Sequence, residues 1–252
     1  MINYLEAKPP ASARPRGVLV LLHAFPLNAR MWEPQFPLAQ GGWRILAPEM
    51  AQRSSMDDCA GDVIDLLDSL HVDQAVIGGC SMGGYLAFTV LRLAERYVRG
   101  LILADTRAAA DTPDAVEGRK KMLQLLGDKG TTAVVDEMVP KLLGDTTKRT
   151  RPDVVARVRS LGLANAPESV AGMIRALMTR QDSTPLLPKI RVPTLIVVGS
   201  EDVITPPPMS EQMHKAIAGS QLAVLPDVGH LSSLEDPASF NDTVAKFLEH
   251  RI

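Results

Sequence analysis

The chain has 252 residues, with 27 Lys and Arg against 29 Asp and Glu, a formal net charge of −2. That balance offers no electrostatic footprint for nucleic acid or an anionic membrane surface. A hydrophobic share of 46 % with 22 % charged residues suits a chain that buries a large core and excludes a disordered composition.

The N-terminus up to Arg16 holds Glu6 and three prolines but no apolar run of the kind a secretory leader needs. The apolar run at 18–22 is five residues long, against about 20 for a bilayer-spanning helix. The expectation is a cytoplasmic protein without a membrane partner. Short, unalternating runs rich in Val, Ile and Leu follow at 18–22, 44–47, 74–78, 101–104, 195–198 and 221–225. Such runs suit parallel strands buried on both faces. Between them the spacing predicts helices, such as the stripe Val63, Ile64, Leu66, Leu67 and Leu70, which Ser55 and Asp58 precede as a capping pair. The fold class is therefore α/β, a mostly parallel central sheet flanked by helices. From about Thr106 to Pro185 the alternation stops. Four helical stripes appear there, around Met122/Leu126, Val134 to Leu143, Val154/Val158/Leu161 and Ile174/Leu177/Met178. We read residues 1–105 and 186–252 as the core and 106–185 as an inserted helical cap.

Gly79-Cys80-Ser81-Met82-Gly83 lies directly between a predicted strand and a predicted helix. A serine on such a tight turn projects its hydroxyl above the sheet, and crowding there demands small residues at 79 and 83. The helix start also turns free N–H groups toward the site, so the Met82 amide is a candidate oxyanion donor. Serine needs a base, and His230 follows the strand at 221–225. Of the five histidines, only His23 and His230 follow strands. Asp202, just beyond the strand at 195–198, suits an acid that orients the imidazole, with Glu201 as its neighbouring competitor. In Leu22-His23-Ala24-Phe25-Pro26 the Phe25 amide is the second candidate donor, because Pro26 has no N–H. His23 is expected to hydrogen-bond the loop that shapes this turn. Cys59 and Cys80 form no disulfide framework and no metal-ligand spacing, so both are expected reduced and buried, with neither metal nor cofactor required.

Three blocks, His23-Ala24-Phe25-Pro26-Leu27 with Met31-Trp32, Gly78-Gly79-Cys80-Ser81-Met82-Gly83-Gly84-Tyr85, and Val198-Gly199-Ser200-Glu201-Asp202 with Gly229-His230, resemble the α/β-hydrolase superfamily. The likeness is to its small capped carboxylesterases and 3-oxoadipate enol-lactonase-like members, and the order Ser81, Asp202, His230 is that of their triad. It implies a carboxylesterase-like serine hydrolase. The methionines, leucines and valines of the cap suggest an apolar acyl or alcohol pocket, with Trp32 and Met122 as liners, and hence short- to medium-chain esters. Enol-lactone or carbon–carbon bond hydrolysis is the alternative on the same triad, and a small-molecule receptor is the non-enzymatic one. An anionic lactone would need a dedicated cation; Arg107 and Arg119 are the candidates, and both read as solvated surface charges. Three departures stand out. Ala24 replaces the usual glycine of the oxyanion turn, the rim loop 49–55 lacks glycine and is short, and the segment before Gly17 is short for the hairpin that usually opens the fold.

Overall fold

The computed structural model describes residues 2–50 and 53–252. Seven strands, β1 (Tyr4–Ala7), β2 (Gly17–Leu22), β3 (Trp43–Pro48), β4 (Ala75–Cys80), β5 (Val98–Ala104), β6 (Thr194–Gly199) and β7 (Gln221–Leu225), form one sheet in the order β1-β3-β2-β4-β5-β6-β7. β1 runs antiparallel to β3, and the other neighbouring pairs are parallel. The six predicted strands are all present. β1 carries no apolar run, and only its pairing with β3 makes it a strand; it is a single four-residue strand where a hairpin usually opens the fold. β4 and β6 are buried along their whole length, as expected of strands covered on both faces. β7 departs from that expectation because it is an edge, and Val224 on it is exposed.

Helices α1 (Met56–Ser69) and α2 (Met82–Ala94) follow β3 and β4, while α7 (Pro207–Ala216), the short α8 (Ser232–Glu235) and α9 (Pro237–Arg251) belong to the C-terminal part of the sheet. At the start of α1, Ser55 Oγ accepts the Asp58 amide at 3.1 Å and donates to the Asp58 carboxylate at 2.7 Å, the predicted capping pair. Between β5 and β6 lie α3 (Pro113–Leu142), α4 (Asp145–Thr150), α5 (Pro152–Leu163) and α6 (Pro167–Thr179), with no strand among the described residues. Gly130, at φ 75° and ψ −178°, breaks α3, so the first two predicted stripes are the two arms of one kinked helix. The polar α4, with only Thr147 buried, has no apolar stripe by which to predict it. No helix among the described residues is long and apolar enough to cross a membrane.

Parallel strands point their carboxyl ends to one edge of the sheet. His23, Ser81 and Asp105 directly follow β2, β4 and β5, and the loops after β6 and β7 carry Asp202 and His230 to the same edge.

Candidate active site

Ser81 links β4 to α2 with φ 53° and ψ −111°, a conformation that costs roughly 1–3 kcal/mol and persists only where its surroundings hold it. Its amide donates to Ala104 O at 2.9 Å, and its carbonyl accepts the Thr106 hydroxyl at 2.8 Å and the Gly84 amide at 2.9 Å. The predicted crowding is real: a Cβ at Gly83 would lie 2.0 Å from Leu22 O, and one at Gly79 2.1 Å from Gly83 O.

His230 is buried, and its Nδ1 lies 2.8 Å and 3.0 Å from the two carboxylate oxygens of Asp202. A carboxylate only accepts, so Nδ1 carries the proton and Nε2 keeps a free lone pair. That Nε2 is shut off from solvent without a partner, and His230 and Ser81 line one cavity. Asp202 also accepts the amides of Ile204 and Thr205 at 2.8 and 2.9 Å and the Thr205 hydroxyl at 2.7 Å. Burial alone would raise this carboxyl; the neighbouring His230 and the donors around it prevail and hold it below its ordinary value. Glu201, the competing acid, points elsewhere: its carboxylate accepts the amide and hydroxyl of Thr146 at 2.8 and 2.6 Å.

Of the candidate oxyanion donors, Met82 is the first residue of α2, so its amide is one that no intrahelical carbonyl can take. Phe25 lines the cavity, and its amide meets no acceptor among the described residues. Ala24 is fully buried and is not among the residues with positive φ, which is how a methyl group is accommodated in this turn. His23 bonds this region as expected, with Nδ1 on Ala24 O at 3.2 Å and Nε2 accepting the Met50 amide at 3.1 Å. Burial lowers its pKa to about 4, so it is a neutral strut, and its 3.9 Å approach to Glu49 is no ion pair. Ala51 and Gln52 of the rim loop 49–55 lie outside the described residues.

Two expectations about the pocket need correction. Trp32 does not wall the cavity; it is buried in the segment Ala29–Gly41, its ring 6.1 Å from that of Phe240, because this face of the segment packs toward α9. Met122 is likewise core packing on α3 and lies away from the cavity wall. The walls come instead from Tyr85 on α2, from Met138, Leu142 and Leu177 on the insertion, and from Ile204. Arg107 and Arg119 also line it, with side chains only 22 % and 20 % exposed, so they are not the solvated surface charges the sequence suggests. The cavity is about 180 Å³, below the ~300–1,000 Å³ of most ligand pockets.

Two buried carboxylates behind the site were not anticipated. Glu235 accepts the amides of Gly229 and Leu231, on either side of His230, at 3.0 and 3.1 Å, and the Gly144 amide of the insertion at 2.9 Å. Asp105 accepts the Gly199 amide at 2.9 Å and the Ser232 hydroxyl at 2.5 Å, tying β6 to the segment after His230; burial raises its carboxyl well above the ordinary range. An acidic residue directly after the apolar β5 was the only sequence signal for the second, and Glu235 had none. Both cysteines are free and buried, and burial raises Cys59 to about 12 and Cys80 well above its ordinary value, so neither is a thiolate nucleophile. Among the described residues no cluster of His, Cys, Asp and Glu could hold a metal ion.

Comparison with known proteins gives the family. The chain is 26 % identical over 239 residues to 3-oxoadipate enol-lactonase 2 of Acinetobacter baylyi, covering 91 % of this chain and 87 % of that protein. A thermophilic esterase from Thermogutta terrifontis, solved with malate bound, superposes with a TM-score of 0.92 at 32 % identity, over 98 % of this chain and 93 % of that one. The enol-lactonase of Burkholderia xenovorans shares the fold at a TM-score of 0.88 and 24 % identity, over 99 % and 96 % of the two chains. The model of the alpha/beta hydrolase family matches residues 19–243. Because that match runs from β2 into α9, through the insertion as well as the sheet, the chain belongs to the alpha/beta hydrolase family.

Proposed function

We propose that this protein is a serine carboxylic ester hydrolase that works through an acyl-enzyme. The observation that carries this reading is the free, buried Nε2 of His230, backed by Asp202, in the same small cavity as the strained Ser81. Ser81 Oγ attacks the carbonyl carbon while its proton passes to His230 Nε2. Asp202 holds the imidazole and stabilises the cation. The amides of Phe25 and Met82 take the oxyanion, each such donor contributing ~2.7–4 kcal/mol in comparable sites. The proton then goes to the leaving alcohol, and water, activated by the same imidazole, releases the acid and restores Ser81. No hydrogen bond joins Ser81 to His230 among the described residues; catalytic hydrogen bonds are often long or poorly aligned before substrate binds and tighten on binding. The esterase and enol-lactonase names of the relatives support hydrolysis of an ester or lactone bond. The cavity volume favours short acyl groups.

Hydrolysis of p-nitrophenyl acetate, butyrate, octanoate and palmitate, beside the Ser81→Ala variant, tests the reading. Turnover should peak at acetate or butyrate and vanish in the variant. Turnover retained by Ser81→Ala overturns the nucleophile, and a maximum at palmitate overturns the cavity argument. Labelling by a fluorophosphonate separates an enzyme from a receptor of the same fold, whose serine would stay unlabelled.

A further inference from the structure

The cavity that holds Ser81 also holds an imbalance of charge. The side chain of Asp111, in the segment between β5 and α3, is 1 % exposed, and three guanidiniums converge on its one carboxylate. Arg107 Nη2 and Arg180 Nη2 meet Oδ1 at 2.7 and 2.9 Å, and Arg119 Nε meets Oδ2 at 3.3 Å. Three positive charges meet one negative there, an excess of two beside the cavity. The Nε of Arg107 is buried with no acceptor among the described residues, an unpaired donor of a kind that native proteins seldom carry. Arg180 lies behind the wall, its guanidinium 3.9 Å from the centre of the Tyr85 ring, and anchors Asp111. Arg107 and Arg119 reach the cavity itself, Arg119 lying 6.0 Å from the centre of the Phe25 ring. Lys141 lines the cavity too, but its ammonium is taken by Glu137 at 3.1 Å.

We infer that Arg107 and Arg119 form a carboxylate-binding subsite, so that the preferred substrate is a small ester or lactone bearing a carboxylate a few bonds from the scissile carbonyl. The inference rests on the proposed ester hydrolysis at Ser81 and names the substrate class of that site. Asp111 uses one donor of each cavity-lining arginine and leaves the rest of each planar fork free, in the geometry that suits a planar carboxylate. Because Asp111 and Arg180 hold both forks before substrate arrives, little ordering is left for binding to do. Ser81, Arg107 and Arg119 line one cavity of about 180 Å³, so an anion and a scissile group that share it lie only a few atoms apart.

The test compares monomethyl succinate with methyl 4-methylpentanoate, which replaces the carboxylate by an isosteric isopropyl group. With methanol release followed for both, kcat/KM should favour the anion roughly 10- to 100-fold, the range for hydrogen bonds to a charged group. The ratio should fall about tenfold in Arg107→Gln and in Arg119→Gln and recover in part in Arg119→Lys, with circular dichroism verifying the fold of each. A ratio near one in the parent protein, or one that survives both Gln substitutions, overturns the subsite. Succinate binding to Ser81→Ala by isothermal titration calorimetry needs no turnover: addition of Arg119→Gln should weaken it at least tenfold, and an equal affinity overturns the subsite. Failure of p-nitrophenyl acetate turnover would instead remove the ester-hydrolase reading while this binding experiment still decides the subsite.

Discussion

Replacing Asp202 by Asn separates the role of its charge and acceptor pattern from its role as a shape. Oδ1 accepts the amides of Ile204 and Thr205 at 2.8 and 2.9 Å, and Oδ2 accepts the Thr205 hydroxyl at 2.7 Å and His230 Nδ1 at 2.8 Å. The two amides can only donate, so an Asn keeps its oxygen on them and turns its NH2 toward Thr205 and His230. The threonine hydroxyl can reverse and accept. His230 Nδ1 lies nearer the new NH2, at the 2.8 Å position, than the retained oxygen at 3.0 Å, which already serves two amides, so acceptance at Nδ1 becomes the favoured arrangement and moves the proton to Nε2, the atom that has to receive the proton of Ser81. A triad with the wrong tautomer loses about 10⁴ in kcat. At about 1.36 kcal/mol per tenfold, that is ~5 kcal/mol of barrier. Since every donor around the side chain keeps a partner, stability should change by less than about 1 kcal/mol, or ~2–4 °C in Tm. The assay is kcat for p-nitrophenyl acetate beside a thermal melt. A folded Asp202→Asn protein with kcat within tenfold of the parent would refute the tautomer argument.

The remaining predictions concern the groups that hold the site. Gly83→Ala places a Cβ 2.0 Å from Leu22 O, a backbone atom of a central strand, and should cost about 1–3 kcal/mol or more; an unchanged Tm would contradict the steric reading. His23 has its pKa lowered by burial to about 4 from 6.5, so the unfolded chain takes up its proton first as pH falls. The stability this represents is complete above pH 6.5 and is lost through pH 4, about 3 kcal/mol in all from 2.5 × 1.36. Glu49 and Asp105, both raised by burial, work in the opposite direction, so the difference between parent and His23→Gln isolates the effect. Urea midpoints at pH 7 and 4.5 should show the variant losing less stability, and parallel losses would sink the idea. Glu235→Gln keeps an acceptor on one side but turns an NH2 against a backbone donor at Gly144 or at Gly229 and Leu231, a cost of about 1–3 kcal/mol. Because those amides flank His230, kcat should fall more than KM changes; a lower Tm with unaltered kcat would leave Glu235 a packing residue only.

The parts of this molecule governed by short-range sterics are legible in the amino-acid sequence. A buried apolar run, two crowded glycines and a helix start specify the turn at Ser81, because strand, turn and helix are adjacent in the chain and no distant partner has to be guessed. The capping pair Ser55/Asp58 and the position of His230 after a strand were legible for the same reason. Even Asp202 followed from local order, although the choice against Glu201 needed Thr146, which lies 55 residues away and draws the glutamate aside. How the insertion meets the sheet depends instead on long-range packing. Trp32 and Met122 carry the chemistry of pocket liners, yet which face of a helix looks into a cavity depends on the angle at which it packs, and both turn into the core. Arg107, Arg119 and Arg180 look like ordinary surface charges in the chain. They become a partly buried cationic cluster because Asp111 sits among them, with Arg180 reached across 69 residues through the packing of α3 against α6. Partial burial weakens the screening by water, and a set of charges with no local signature gains its electrostatic character from the fold.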